Sequence, residues 1–248
     1  TNSNTAVGYN TLRVNVASNN TAVGTSALDA NTSGTNNVAV GVAALGANTD
    51  GPGNVAVGNS ALATNTTGDY NIAVGYLALT SNTTANENIA VGTCALHATT
   101  TGHSNVAMGT CALDSNTTGC CLTGVGHRAL YSNTSGCFNT SIGMCSMYSN
   151  TTADNNTAFG SFAMKDNTTG ANNVAVGYNA LKINTTGCRN TALGSDALRQ
   201  TLTGEHNVGV GFNAGTSNTT GSNNTFAGNF ASHLNTTGSD NVSYGSEA

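Results

Sequence analysis

Apolar and polar positions along this chain fall into columns that return at a fixed interval. The phrase Asn37-Val38-Ala39-Val40-Gly41 recurs as Asn54-Val55-Ala56-Val57-Gly58, Asn71-Ile72-Ala73-Val74-Gly75 and Asn105-Val106-Ala107-Met108-Gly109. Its closing glycine can be followed from Gly8 to Gly245; thirteen of the fourteen intervals are 17 residues, and Gly8 to Gly24 is 16. A period this strict means one structural unit stacked on itself. With that glycine as the anchor of each coil, a large apolar residue stands just before it, as at Val40, Val57, Met108 and Phe159. Three before it stands Thr, Val or Ile, and the residue between is nearly always Ala. Alternation with period two and β-branched residues predicts a strand. The large residue is expected to face inward, and the Ala to face a closely approached surface.

A second apolar column lies four residues after the anchor: Leu45, Leu62, Leu79, Leu96, Leu113, Leu130, Met147, Met164, Leu181 and Leu198. It predicts a second short strand, because a coil this short has no room for a helix of typical length, about 11–12 residues. The coil closes on Asn-Thr-Thr-Gly, as at Asn65-Thr66-Thr67-Gly68 and Asn167-Thr168-Thr169-Gly170. Asn tolerates a left-handed backbone and Gly adopts positive φ, so this is a turn. Ala85 and Ala153 replace that glycine, and those two turns should differ locally.

Four residues before the anchor Asn recurs again, at Asn37, Asn54, Asn71, Asn88, Asn105 and Asn173 among others; Leu122 alone breaks the column. An amide both donates and accepts, so stacked copies predict an asparagine ladder parallel to the backbone ladder. The fold class that follows is all-β: a parallel β-solenoid, or β-roll, of about fifteen coils with a 17-residue repeat. It is expected as one continuous domain over residues 1–248, a segment of a longer repeat array. A single coil buries too little to fold alone, so stacking must supply the stability.

The repeated Asn-x-Ala-x-Gly, as in Asn88-Ile89-Ala90-Val91-Gly92 and Asn173-Val174-Ala175-Val176-Gly177, resembles the head-domain repeats of trimeric autotransporter adhesins. The related Thr-Ala-x-Gly-x-x-Ala-Leu phrase is similar to repeats in phage and large-virus tail-fibre proteins. The resemblance covers nearly the full length. It implies a left-handed roll, often trimeric, exposed at a cell or virion surface and used in adhesion.

Composition narrows the partners. Charged residues are 7% of the chain, and six Lys+Arg stand against eleven Asp+Glu, so there is no basic patch for nucleic acid. The 38% apolar residues are in register, which separates this chain from a disordered one. No apolar run approaches the roughly 18 residues of a membrane span, so membrane insertion is not expected.

Candidate chemistry is sparse. Cys94 and Cys111 share one offset in adjacent coils, as do Cys120 and Cys137. Stacked equivalents lie about 4.8 Å apart, inside the usual Cα range for a disulfide, so these are two candidate vertical bridges. No CxxC pair or Cys/His cluster points to a metal site. Ten turns carry an N-glycosylation sequon, at Asn31, Asn65, Asn82, Asn116, Asn133, Asn150, Asn167, Asn184, Asn218 and Asn235. Taken as exposed turns, they are candidate sugar acceptors. Lys165, Lys182 and Arg199 stack in one column with Tyr131 and Tyr148, a strip that could hold an acidic glycan. No paired carboxylates and no nucleophile–base set appear in register, so neither catalysis nor a cofactor is expected. The expected function is a structural or adhesive extracellular fibre or surface-appendage subunit that self-associates as a trimer or end-to-end filament. The alternatives are a module binding cell-surface glycans and, behind it, an ice-binding protein using its Thr columns.

Overall fold

The computed structural model describes residues 3–248; the first two residues of the domain expected over 1–248 lie outside the described residues. Among the described residues there are fifteen three-residue strands and no helix. The chain clusters into two compact units, Thr1–Leu122 and Thr123–Ala248. Each unit is a parallel β-solenoid with the 17-residue repeat.

In the first unit, seven strands run from Thr5–Val7 to Val106–Met108, each pairing parallel with the next. The register is like on like: Val38 faces Val55, Ala39 faces Ala56 and Val40 faces Val57. In the second unit, eight strands run from Thr123–Val125 to Val242–Tyr244 in the same manner, with Phe159 opposite Val176. The predicted columns therefore exist.

The side they face is the reverse of the expectation. The central Ala of the strand is fully buried, as at Ala39, Ala56, Ala158 and Ala175, while the flanking large residues point outward. Val40 and Val57 are 37% and 36% exposed, and Phe159 is 55% exposed. The bore of the coil is too narrow for Val on that wall. It is filled by the strand Ala, a second Ala three residues after the anchor, and the Leu that follows it, all 0% exposed in most coils.

No second strand forms at that Leu. Its backbone is left-handed, with φ of 51° at Leu45 and 52° at Leu181, and the residue two before it is left-handed too. Two such residues in one short arc fold the chain back tightly enough to aim Leu inward. Two left-handed non-glycine residues cost about 2–4 kcal/mol together, and burying the Leu side chain contributes about 1.5–3 kcal/mol, so the inward Leu offsets most of what the arc costs.

The anchor glycine is set by two constraints at once. At Gly58 φ is 141°, and an added Cβ would lie 2.3 Å from the Gly75 carbonyl oxygen of the next coil. The turn glycine differs from the expectation, since close approach rather than positive φ favours it: a Cβ on Gly68 would crowd the Ala85 carbonyl oxygen. Where Ala replaces it, the turn keeps the same bonds. The Ala85 carbonyl still accepts from Asn71 and Asn82 at 2.8 and 3.1 Å.

Two irregularities are informative. In the short first coil the missing residue comes out of the turn, and the Ala17 carbonyl takes the role of the turn glycine's, accepting from Asn4 at 2.7 Å and Asn15 at 2.9 Å. Near the C-terminus Gly215 and Ser232 stand where Leu is expected. Phe226, on the wall usually held by Ala, is 0% exposed and fills that space; a Cβ on Gly215 would meet its ring at 2.2 Å.

Candidate functional site

Two asparagine columns line the interior, and they divide the work differently from the sequence-based expectation. The column four before the anchor is buried at Asn37, Asn54, Asn71, Asn88, Asn105 and Asn173. Its Oδ1 accepts the backbone N–H of the next copy: Asn54 to Asn37 at 2.8 Å, Asn71 to Asn54 at 2.9 Å, Asn190 to Asn173 at 2.9 Å. Its Nδ2 crosses the bore to the turn carbonyl, as from Asn54 to Gly68 at 2.8 Å. The ladder exists: it brackets the backbone throughout and also links amide to amide in places, from Asn71 to Asn54 at 3.2 Å, Asn207 to Asn190 at 3.1 Å and Asn224 to Asn207 at 3.0 Å.

Amide-to-amide links run more regularly through the sequon column. Asn48 donates to Asn31 at 2.8 Å, Asn65 to Asn48 and Asn82 to Asn65 both at 2.7 Å. In the second unit Asn150 donates to Asn133 at 2.8 Å and Asn167 to Asn150 at 3.0 Å. Each Nδ2 also reaches the turn carbonyl three residues on, as from Asn167 to Gly170 at 3.0 Å. Asn31, Asn65, Asn82, Asn116, Asn133, Asn150, Asn167, Asn184 and Asn218 are 0% exposed, and Asn235 is half-buried. The expected glycan acceptors are thus corrected: the nitrogen that would carry sugar points into the bore and is committed to hydrogen bonds. Turn chemistry made the sequon.

The ladder breaks where Thr99 and Thr201 replace Asn. Asn82 Oδ1 and Asn184 Oδ1, which those residues would have served, are buried without a partner, and so is Thr201 Oγ1. The first Thr of the turn is structural as well: Thr66 Oγ1 donates to the Thr83 carbonyl at 3.0 Å and Thr168 Oγ1 to the Thr185 carbonyl at 2.9 Å.

Three outward surfaces remain for function. The first is the strand face. In the first unit it presents Val38, Val55 and Ile72 beside Val40, Val57 and Val74, and in the second Val174 and Thr191 beside Val176 and Leu193. These positions carry no charged residue in either unit.

The second surface is the basic and aromatic strip of the second unit. Tyr131 and Tyr148 stack at 5.1 Å with their rings 6° from parallel, and the Arg128 guanidinium lies 5.6 Å from the Tyr131 ring centre. Lys182 lies 5.6 Å from the Phe162 ring centre. The remaining cations are neutralised nearby, Lys165 by Asp166 at 3.4 Å and Arg199 by Asp196 at 3.5 Å.

The third surface is on the first unit, where Cys94, Cys111 and Asp114 each offer one donor atom within 4.8 Å of the others. Cys94 and Cys111 stand as separate half-buried thiols rather than the expected bridge. Burial pushes the Cys94 thiol up, and the neighbouring Cys111 and Asp114 add to it. Of the second expected bridge, Cys120 falls in the first unit and Cys137 in the second, where the Cys137 thiol donates to the Ser135 carbonyl at 3.6 Å. The three-donor cluster was missed at the sequence level, although Cys-Ala-Leu-His and Cys-Ala-Leu-Asp one coil apart were the available signal. Elsewhere a shallow depression of about 210 Å³ lies between Thr84, Glu87, Thr101 and His103, with mixed polarity and no convergent donors.

An interior filled mainly by alanine, large apolar side chains and bonded amides, with a few hydroxyls such as Ser141 and Ser146, defines the class: a β-solenoid repeat protein. No family model matches this chain, and neither do the curated proteins or the solved structures. No helix among the described residues is long and apolar enough to cross a membrane.

Proposed function

We propose that this chain is a structural subunit of an extracellular fibre or surface appendage, at a cell or virion surface, that associates with further copies of itself through the strand face. The observation that carries the reading is that face: β-branched aliphatic side chains, a third or more exposed at Val40, Val57, Ile72 and Val74, aligned in ranks without a charge among them. Apolar area removed from water contributes roughly 25 cal/mol per Å², and such ranks gain most from a partner of matching spacing. A second copy matches by construction, because its ranks repeat at the same strand separation of about 4.8 Å. The resemblance to adhesin heads favours three copies around one axis.

Light scattering on the purified chain tests this. The expected mass is a multiple of 24.6 kDa, falling to the single-chain value in the double variant Val57→Lys/Val74→Lys with its circular dichroism unchanged. A wild-type monomer at high concentration would remove the proposal.

A second reading has its own support. The parallel stack of Tyr131 and Tyr148 beside Arg128 makes an aromatic platform suited to a sugar ring bearing a carboxylate. Glycan-array binding that disappears in Tyr131→Ala/Tyr148→Ala would favour it. No catalytic role is proposed.

A further inference from the structure

Cys94 and Cys111 occupy the same place in consecutive coils, two residues after Gly92 and Gly109, in the identical run Gly-Thr-Cys-Ala-Leu. Both have a left-handed backbone, φ 54°, held by the arc that buries Ala95, Leu96, Ala112 and Leu113 at 0% exposure. The coils are tied to each other on both sides of the thiols. Cys111 N–H donates to the Thr93 carbonyl at 2.9 Å, Leu96 N–H to Ala112 at 3.0 Å and Ala98 N–H to Asp114 at 2.9 Å. The two Sγ atoms and an Asp114 carboxylate oxygen are therefore positioned by rigid backbone, all within 4.8 Å of one another. In a tetrahedral zinc site, bonds of about 2.0–2.3 Å put donors roughly 3.4–3.8 Å apart. Side-chain rotation of about 1 Å closes the difference.

Three protein donors suffice for such a cation, since zinc sites with three protein ligands complete their tetrahedron with water.

We propose that Cys94, Cys111 and Asp114, with water in the fourth position, form a tetrahedral site for a borderline-soft divalent cation of the Zn²⁺ type, clamping two consecutive coils. Two thiolates with one carboxylate oxygen suit such a cation over Ca²⁺ or Mg²⁺, which take oxygen donors throughout. On binding, each thiol gives up its proton to solvent and the cation takes both sulfur lone pairs, so two protons leave per ion. No oxidant is needed, which separates the clamp from a disulfide.

Cobalt(II) titration of the reduced full chain under argon tests the site. One equivalent is expected to raise a thiolate-to-cobalt charge-transfer band with tetrahedral d–d absorption, and Zn²⁺ is expected to bleach both. The band should vanish in Cys94→Ser/Cys111→Ser, persist in Cys145→Ser, and need about tenfold or more cobalt in Asp114→Asn. A readout without mutation is alkylation mapping of the wild type, in which Zn²⁺ should shield Cys94 and Cys111 but not Cys145 or Cys188. No charge-transfer band, equal shielding of all four cysteines, or a Cys94–Cys111 disulfide in the chain as purified would each overturn the proposal.

Discussion

The two units of this chain share an interior and differ outside. In the first the large buried column is Leu from Leu28 to Leu113. In the second it runs Leu130, Met147, Met164, Leu181 and Leu198, and near the end the volume moves from Leu to Phe226 on the opposite wall. Leu and Met are close in volume, so a packed bore accepts the exchange. The outward columns changed far more: the surface that holds His97 and Asp114 in the first unit holds Tyr131, Tyr148, Lys165, Lys182 and Arg199 in the second. The backbone and amide ladders fix the coil, and the exterior is left to vary.

The largest test of that comparison strikes what both units share. Gly58→Val and Gly177→Val should each cost about 4 kcal/mol or more, because both anchors have φ near 140° and a Cβ would meet the next coil's carbonyl oxygen at 2.3 and 2.5 Å. Denaturant melts giving unlike losses would break the equivalence of the two interiors. Next come the fillers. Leu62→Ala should cost about 2–5 kcal/mol and Phe226→Ala about 3–5 kcal/mol. Adding Gly215→Leu to Phe226→Ala should recover much of the second loss, since it restores the first unit's pattern; failure to recover would mean Phe226 does more than fill volume.

Smaller and opposite in sign is the repair of the amide ladder. Thr99→Asn in the first unit and Thr201→Asn in the second supply the missing donor to Asn82 Oδ1 and Asn184 Oδ1. Each should stabilise by about 1–3 kcal/mol, read as a raised melting temperature. The smallest effect is confined to one turn. Hydroxyls of Ser33, Thr49 and Thr32 hold the Asp50 carboxyl below its ordinary value. Its contribution is present above the ordinary carboxylate range and is lost as pH falls through the lowered value. Asp50→Asn should therefore flatten the acid side of the first unit's stability profile slightly. The equivalent turn positions of the second unit, Ser135 to Thr237, carry no carboxylate and should give no such change.

Period, register and the existence of each column were legible because a repeat aligns itself: Val40 over Val57 follows from the spacing alone. Which face is inside was not. A three-residue strand offers too little alternation to settle it, and hydrophobicity pointed to Val when bore width required Ala. The repeats did hold the clue, since the Ala column stays small where it varies, at Gly124, Ser141, Gly209 and Ser243 with Phe226 the exception, while its neighbour runs through Val, Met, Ile, Phe and Leu. The arc around Leu45 was misread as a strand because sequence patterning does not report a left-handed Leu. The sequon column was misread because exposed turns and inward amides use the same letters. The stacking of Cys94 on Cys111 was legible, but Asp114 as a third donor escaped because it stands at another offset and only the folded arc brings its carboxylate to the thiols.

The shortened first turn has a practical corollary. Asn15-Val16-Ala17 dispenses with a residue and still seats both amides on one carbonyl, so the stretch between the two threonines of a turn is where chain length is negotiable. A foreign peptide spliced between Thr66 and Thr67 would leave the scaffold's own bracing in place, making each turn a mounting point at intervals of one coil.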